Sequence, residues 1–321
     1  MSGLLTASGL QAAENGVGVY LLGIRGPLAG LTPPPGLYFQ NDFYYYTGKA
    51  SPSLELPFNG KLLAGVSATL PVNAPTLLWS TTVQVLGGNL AFAGTLPIGG
   101  PSISADASLS VPPLNAVLSR NLRDSITTVG DPYLQGMIGW HSGNLHWTAG
   151  VGVNVPVGDY REGAIANIAF HRWATDVFGA VTYLNMQNGI DLSGAMGITF
   201  NGTNPATDYT TGTEFHLELA ATQNLPNGLS FGVVSYFYAQ LTDDTGSGAK
   251  LGPFRGRVAA VGGSLGYMFK VDGRDIATRL KVYREFDVEN RLEGTAAFLT
   301  VALPLHVYAP PPGVGKQASV R

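Results

Sequence analysis

From Asn144 to Val155 the chain changes character at every residue. Leu145, Trp147, Ala149, Val151, Val153 and Val155 alternate with Asn144, His146, Thr148, Gly150, Gly152 and Asn154. A two-residue period places all the apolar groups on one face of a β-strand, because successive side chains point to opposite sides of the pleat. The same period recurs along the chain. Phe215, Leu217 and Leu219 oppose Glu214, His216 and Glu218. Leu229, Phe231, Val233, Phe237 and Leu241 oppose Ser230, Gly232, Tyr236, Tyr238 and Gln240. Ile276, Thr278, Leu280 and Val282 oppose Asp275, Arg279, Lys281 and Tyr283. In 36–46, Leu37, Phe39, Phe43 and Tyr45 oppose Tyr38, Gln40, Asp42 and Tyr44, with Asn41 interrupting the apolar face. In 190–200, Ile190, Leu192, Met196, Ile198 and Phe200 oppose Asp191, Ser193 and Thr199. Segments 132–141 and 172–184 fit more loosely. Segments 255–270 and 291–308 read as strands of unfixed facing, since Pro304 and the pair Phe298–Leu299 blur the last one. Amphipathic helices are almost absent.

The connections alternate in length. Tight turns fall at Leu86–Asn89, His141–Asn144, Met186–Gly189, Asn224–Gly228 and Val271–Arg274. Long connections fall at about 47–60, 98–131, 157–170, 201–212 and 242–254, with a shorter one near 286–290. Short turns at one end and long loops at the other are the layout of an outer-membrane barrel. The count is twelve strands, with both chain ends on the short-turn side. Segment 61–86 is long enough to hide a further hairpin, which would make fourteen.

Composition separates this from a helical membrane protein. Residues 62–105 hold no Asp, Glu, Lys or Arg, yet Pro71, Pro75, Pro97 and Pro101 interrupt them. No window of about 19 residues is solidly apolar, as a spanning helix requires. A sheet that crosses lipid must instead close on itself, since every backbone polar group needs a partner there. Charged residues are 12% of the chain and glycine is abundant, at 43 of 321. The net charge of −3 carries no basic excess for nucleic acid, and no cysteine is present for a disulfide or a thiolate site. Trp79, Trp140, Trp147, Trp173, Tyr183 and Tyr267 sit near strand ends, where interfacial girdles form.

Residues 1–13 read as the remnant of a truncated secretory signal or as a plain flexible start. Residues 14–35 do not alternate, and Pro33, Pro34 and Pro35 forbid strand pairing. That segment reads either as a plug folded into the lumen or as a periplasmic extension. The barrel then spans 36–308, and 309–321, with three consecutive prolines, reads as a disordered tail.

Little in the chain suggests catalysis. Gly262-Gly263-Ser264-Leu265-Gly266 matches the nucleophile-elbow spacing, but it lies in a strand pattern with no helix after it. The histidines have no zinc-protease spacing. No cofactor, metal site or catalytic residue is expected. The inward polar faces carry the candidate lumen and ligand residues: Tyr38, Asp42, Tyr44, Arg172, Asp176, Glu214, His216, Glu218, Tyr236, Tyr238, Arg279 and Lys281. Their mixed charges suit either pairing across a lumen or a polar channel. Tyrosine adds a flat apolar face with a polar tip, suited to an aromatic solute.

Long runs carry a family resemblance. They are GPLAGLTPPPGLYFQNDFYYYTGKA, GDPYLQGMIGWHSGNLHWTAGVGVNVPVGDY, DYTTGTEFHLELA, NGLSFGVVSYFYAQLTDDTGSGAKLGPFRGRVAAVG and YREFDVENRLEGTAAFLTVALPL. From Gly16 to Leu305 the chain resembles the bacterial meta-pathway phenol-degradation family of outer-membrane transporters. The resemblance implies a Gram-negative outer-membrane barrel, exported by a signal peptide, without established catalytic residues and without a firmly assigned substrate. The expected function is a passive channel for small hydrophobic or aromatic compounds, with outer-membrane lipid as the other partner. The alternatives are a sealed barrel that binds a lipid or signal molecule, and an outer-membrane hydrolase.

Overall fold

The computed structural model describes residue 14 and residues 18–51, 54, 56–58, 61–111, 116–249 and 255–308. The signal-remnant reading of 1–13 and the disordered-tail reading of 309–321 lie outside the described residues, as does part of the 242–254 connection.

Twelve antiparallel strands close into a barrel. They are β1 (Gly36–Lys49), β2 (Lys61–Val85), β3 (Gly88–Thr95), β4 (Tyr133–Ser142), β5 (Leu145–Asn154), β6 (Ala174–Asn185), β7 (Ile190–Asn201), β8 (Glu214–Asn224), β9 (Leu229–Gln240), β10 (Arg257–Val271), β11 (Arg274–Glu289) and β12 (Glu293–Val307). Each pairs with its neighbours in sequence, and β1 closes the ring against β12 from Gly36–Val307 to Lys49–Glu293. Twelve strands tilted by ~40° and spaced ~4.8 Å apart enclose a backbone cylinder about 24 Å across. No helix among the described residues is long and apolar enough to cross a membrane. The crossing is made by strands.

The fourteen-strand option fails for a specific reason. Residues 61–85 form one 25-residue strand rather than a hairpin. Its first half rises past the end of β3 and pairs through Ala64–Thr69 with Ser102–Val111, which pairs in turn with Ala116–Ser125. The extra hairpin therefore lies within the expected 98–131 loop. Residues 102–111 alternate serine or aspartate with Ile103, Ala105, Ala107, Leu109 and Val111, which is the period of a strand.

The tight turns form for local reasons. Leu86 and Gly87 both have positive φ (51° and 77°), as do Asp272 and Gly273 (48° and 77°). Two successive positive-φ residues make the hairpin turn whose twist matches the flanking strands. The two strands of unfixed facing are also resolved. β10 turns Val261, Leu265 and Tyr267 outward and Val258, Ala260 and Ser264 inward. β12 turns Leu299 outward and Ala296 and Phe298 inward. The β1–β12 register slips between Leu37 and Tyr38, where Tyr38 faces Pro304. Proline cannot donate to the ladder, and a bulge absorbs the gap.

The outer face is apolar. Leu77, Val177, Val181, Leu192, Met196, Val233, Leu265 and Leu280 are all exposed, at 43–58%. Trp79, Tyr183 and Tyr267 ring the short-turn end, where Trp140 and Trp147 also stack as a cross-strand pair. Trp173, Phe200 and Phe286 stand exposed near the other end. From Trp173 to Tyr183 is ten residues, or ~33 Å along the strand and ~25 Å along the membrane normal at this tilt. That matches the apolar band of a membrane barrel. Asn41 breaks the band without leaving an orphan, because its Nδ2 donates to Asn73 Oδ1 at 2.7 Å on β2.

The long loops fold over one end. Thr203–Asn204 pairs with Tyr209–Thr210, and Thr210 bridges to Thr245. Asp244 holds this cap together. It accepts from Gly212 N at 2.8 Å, from Gln240 Nε2 at 2.6 Å and from the Tyr209 hydroxyl. Burial pushes the Asp244 carboxyl up to about 6, against these hydrogen bonds, which pull it down. The folded cap therefore binds a proton more tightly than the unfolded chain does. Its stability is greatest below about pH 4 and declines as pH rises through about 6, by about 2–3 kcal/mol in total. Amide protection factors in 202–213, corrected for the intrinsic pH dependence of exchange, are expected to be higher at pH 4.5 than at pH 7.5. Asp244→Asn is expected to flatten that dependence.

Candidate functional site

Inside the barrel the non-alternating segment 18–35 runs from the loop end, where Gly18 lies against Glu214, to the short-turn end, where Pro33 meets Ser80. It is built of turns, with Ile24 N on Leu21 O, Ala29 N on Gly26 O and Leu31 N on Leu28 O, and several of its other backbone groups are met by inward side chains. Ser80 Oγ donates to Pro33 O at 2.9 Å. Thr148 Oγ1 donates to Gly30 O at 3.0 Å, and Gly30 N donates to Thr182 Oγ1 at 2.9 Å. Gly30 sits where a Cβ would meet Thr182 N at 2.7 Å and His146 O at 2.8 Å. Those atoms belong to the barrel backbone and cannot move aside, so only glycine allows this approach. Leu28 N donates to Asp191 Oδ2 at 3.1 Å and Ser193 Oγ at 3.0 Å. Lys281 Nζ donates to the carbonyls of Gly23, Ile24 and Arg25 at 2.5, 2.8 and 2.5 Å. Gly23 N and the Tyr20 hydroxyl both donate to Glu218 Oε1, at 2.9 and 2.8 Å. The Tyr20 ring stacks on His216, with centroids 3.5 Å apart. Near the loop end the buried Glu14 accepts from Asn204 at 3.0 Å and Thr207 at 2.8 Å, and lies 3.8 Å from Arg172.

The expected candidates fall into distinct groups. Glu218, His216 and Lys281 contact the segment directly. Asp176 accepts from Thr199 at 2.9 Å and pairs with His216 Nε2 at the same distance. Glu214 accepts from Tyr238 at 2.5 Å and Asn201 at 2.8 Å. Tyr236 donates to Glu285 at 2.8 Å. Asp42 is buried on β1 and accepts from Gln40 at 2.7 Å and Thr300 at 2.5 Å. Tyr44 packs its ring on Phe298, 4.7 Å away. Arg279 reaches Ser264 at 3.3 Å. Arg172 lies just before β6 rather than within it, buried under the loops, with Nε on Asn201. Tyr38 stands apart at the short-turn rim, where its hydroxyl donates to Pro34 O at 2.8 Å.

The segment does not fill the lumen. A cavity of ≈ 590 Å³ remains beside it. One wall is apolar, with Leu70, Val72, Ala74 and Leu78 of β2 and Ala93 of β3. The lining also holds Arg25, Arg279, Lys281 and Asp42, the last beside Ala74 on the neighbouring strand. The lining reaches Met268 and Ala277 toward the short-turn end and Arg291 and Leu292 at the loop end. Ser264, the elbow serine, is buried on the inner face of β10 and carries no turn. Among the described residues no cluster of histidines and acids has metal-site geometry.

Residues 46–301 match the model of a protein family described as "Putative MetA-pathway of phenol degradation". The chain belongs to this family. Among solved structures, an outer membrane channel from Pseudomonas putida F1 shares the fold, with a TM-score of 0.65 at 16% identity over 86% of this chain and 98% of that one. The outer membrane channel DcaP of Acinetobacter baumannii has a TM-score of 0.30 at 11% identity over 84% of this chain and 96% of that one. No curated protein matches the chain in sequence.

In this member of the phenol-degradation family, several site residues escape the sequence reading. Glu285 accepts from Tyr46 and Tyr236 at 2.8 Å and from Gly294 N at 2.7 Å. It shares the parity of Arg279, Lys281 and Tyr283, so extending that alternation by one step would have reached it. Asp191 stood on a polar face but not among the candidates. Arg25 and Glu14 lie in a segment with no periodicity, so no pattern could mark them. Lys281→Met would leave the Ile24 and Arg25 carbonyls without this donor, while Gly23 O keeps the Tyr283 hydroxyl at 3.3 Å, at a cost of about 1–3 kcal/mol. In a chain without native cysteine, a thiol at Ala29→Cys reports on the segment. Its alkylation is expected to quicken about ten-fold with Lys281→Met, as looser docking of that size implies.

Proposed function

We propose that this barrel is a passive outer-membrane channel for small apolar or aromatic solutes, which travel along the lumen beside segment 18–35. The observation that carries this reading is the cavity itself. Its lining runs between residues near both ends of the barrel, and it combines an apolar stretch of β2 with polar and charged side chains. Such a passage suits solutes with a flat apolar body and one polar group. The family membership and the fold shared with an outer membrane channel support the reading. Transport is diffusive, driven by the solute gradient alone.

A sealed, ligand-binding barrel is the second reading. The dense hydrogen bonding of segment 18–35 favours it, since that segment acts as a plug. Planar-bilayer recording and solute uptake into proteoliposomes separate the two. Steady conductance together with faster entry of benzyl alcohol than in empty vesicles is expected. Silence in both assays would remove the channel reading and leave the binder.

A further inference from the structure

Arg291 sits in the connection between β11 and β12 and lines the loop end of the cavity. It is 7% exposed. Its guanidinium lies over the Tyr238 ring, 4.2 Å from the centroid. One of its terminal nitrogens, Nη1, is buried and has no hydrogen-bond partner among the described residues. Among the described residues no carboxylate forms an ion pair with it. The two nearby acids are already engaged. Glu285 takes Tyr46, Tyr236 and Gly294 N, and Glu214 takes Tyr238 and Asn201. A charged donor left unused in a buried site is costly, and a bound acceptor would satisfy it.

Apolar groups stand on the same stretch of the cavity. Leu22, Tyr44, Ile103 and Leu292 all line it and pack into one cluster. Deeper along the path, Arg25 and Arg279 also line it. Each has one side-chain hydrogen bond, to Gln135 and Ser264. Lys281, by contrast, is consumed by three carbonyls of the plug.

We propose that Arg291 is the anion-binding residue of a solute subsite at the loop mouth, and that its ligand is a small carboxylate on an apolar body. This rests on the lumen route proposed above and narrows the solute class. The planar guanidinium fork matches a carboxylate with two parallel hydrogen bonds. The apolar body then lies among Leu22, Tyr44, Ile103 and Leu292. Arg25 and Arg279 offer the next positive stations along the lumen.

The test titrates the refolded full chain in detergent with benzoate and with benzyl alcohol, its neutral analogue of similar shape. Benzoate is expected to bind tighter by about ten-fold or more, the increment of a charge-assisted hydrogen bond. The preference should vanish in Arg291→Gln and survive in part in Arg291→Lys. Equal affinities in the unaltered chain would overturn the proposal, and that comparison decides even if Arg291→Gln fails to fold. An undiminished preference in a folded Arg291→Gln would overturn it as well. Bilayer recording of the same protein keeps the two readings apart. A silent barrel that prefers benzoate keeps the subsite and loses the channel. A conducting barrel without the preference keeps the channel and loses the subsite.

Discussion

Removing residues 18–31 is expected to leave a folded barrel whose single-channel conductance rises several-fold. The barrel closes through the β1–β12 ladder, which begins only at Gly36. No strand pairing is lost with the segment. What goes is its hydrogen bonding to Thr148, Thr182, Asp191, Glu218 and Lys281. These side chains face a lumen that water can then fill, so they rehydrate instead of becoming buried orphans. Conductance scales with open cross-section, and the backbone cylinder is far wider than the cavity the segment leaves. The check pairs bilayer recording with far-UV circular dichroism and heat modifiability in electrophoresis. A native-like barrel with unchanged conductance would show that the segment does not set the aperture.

Val177→Arg is expected to destabilise the barrel by about 2–4 kcal/mol in lipid. Val177 is half exposed on β6 and lies between the girdle residues Tyr183 and Trp173, the latter just before the strand. That places it near the bilayer midplane, where a guanidinium has neither water nor a partner. The next residue, Phe178, faces inward against Arg25, whose guanidinium lies 4.0 Å from the ring centroid. The same arginine one step along the strand would meet a polar lumen. Denaturant titration of the barrel in liposomes measures the difference. A cost below about 1 kcal/mol would mean that this face does not meet the hydrocarbon, since interfacial positions cost only that much.

The inner faces were legible wherever alternation was clean. Glu214, His216 and Glu218 could be placed on one side of β8 before any coordinates, because β pleating leaves a side chain only two directions. The same logic failed where proline or paired apolar residues broke the period. Pro304 forced a bulge, and the facing of β12 became clear only from its register with β1. The 98–131 connection went unread as strands, although Ile103, Ala105 and Ala107 alternate with polar residues. Its hairpin exists because β2 extends beyond β3 and offers an unpaired edge. Edge availability is a property of the assembled sheet.

The sequence by itself determined the strand class, an even count of twelve or fourteen crossings, the end that bears the long loops and the sign of each clean face; the single strand Lys61–Val85 settled the count at twelve. These follow from local rules: the two-residue period, turn chemistry, and the need for every backbone group in lipid to find a partner. Only the tertiary structure decided how the lumen is divided. Glu218 and Lys281 meet through Gly23, which lies 195 residues from one and 258 from the other. Arg25 and Glu14 have no periodicity that could have announced them. Whether a charge inside the barrel holds segment 18–35, pairs with a neighbour or stays open to a solute depends on which distant segment passes it. Closure and threading fix that, and local pattern cannot.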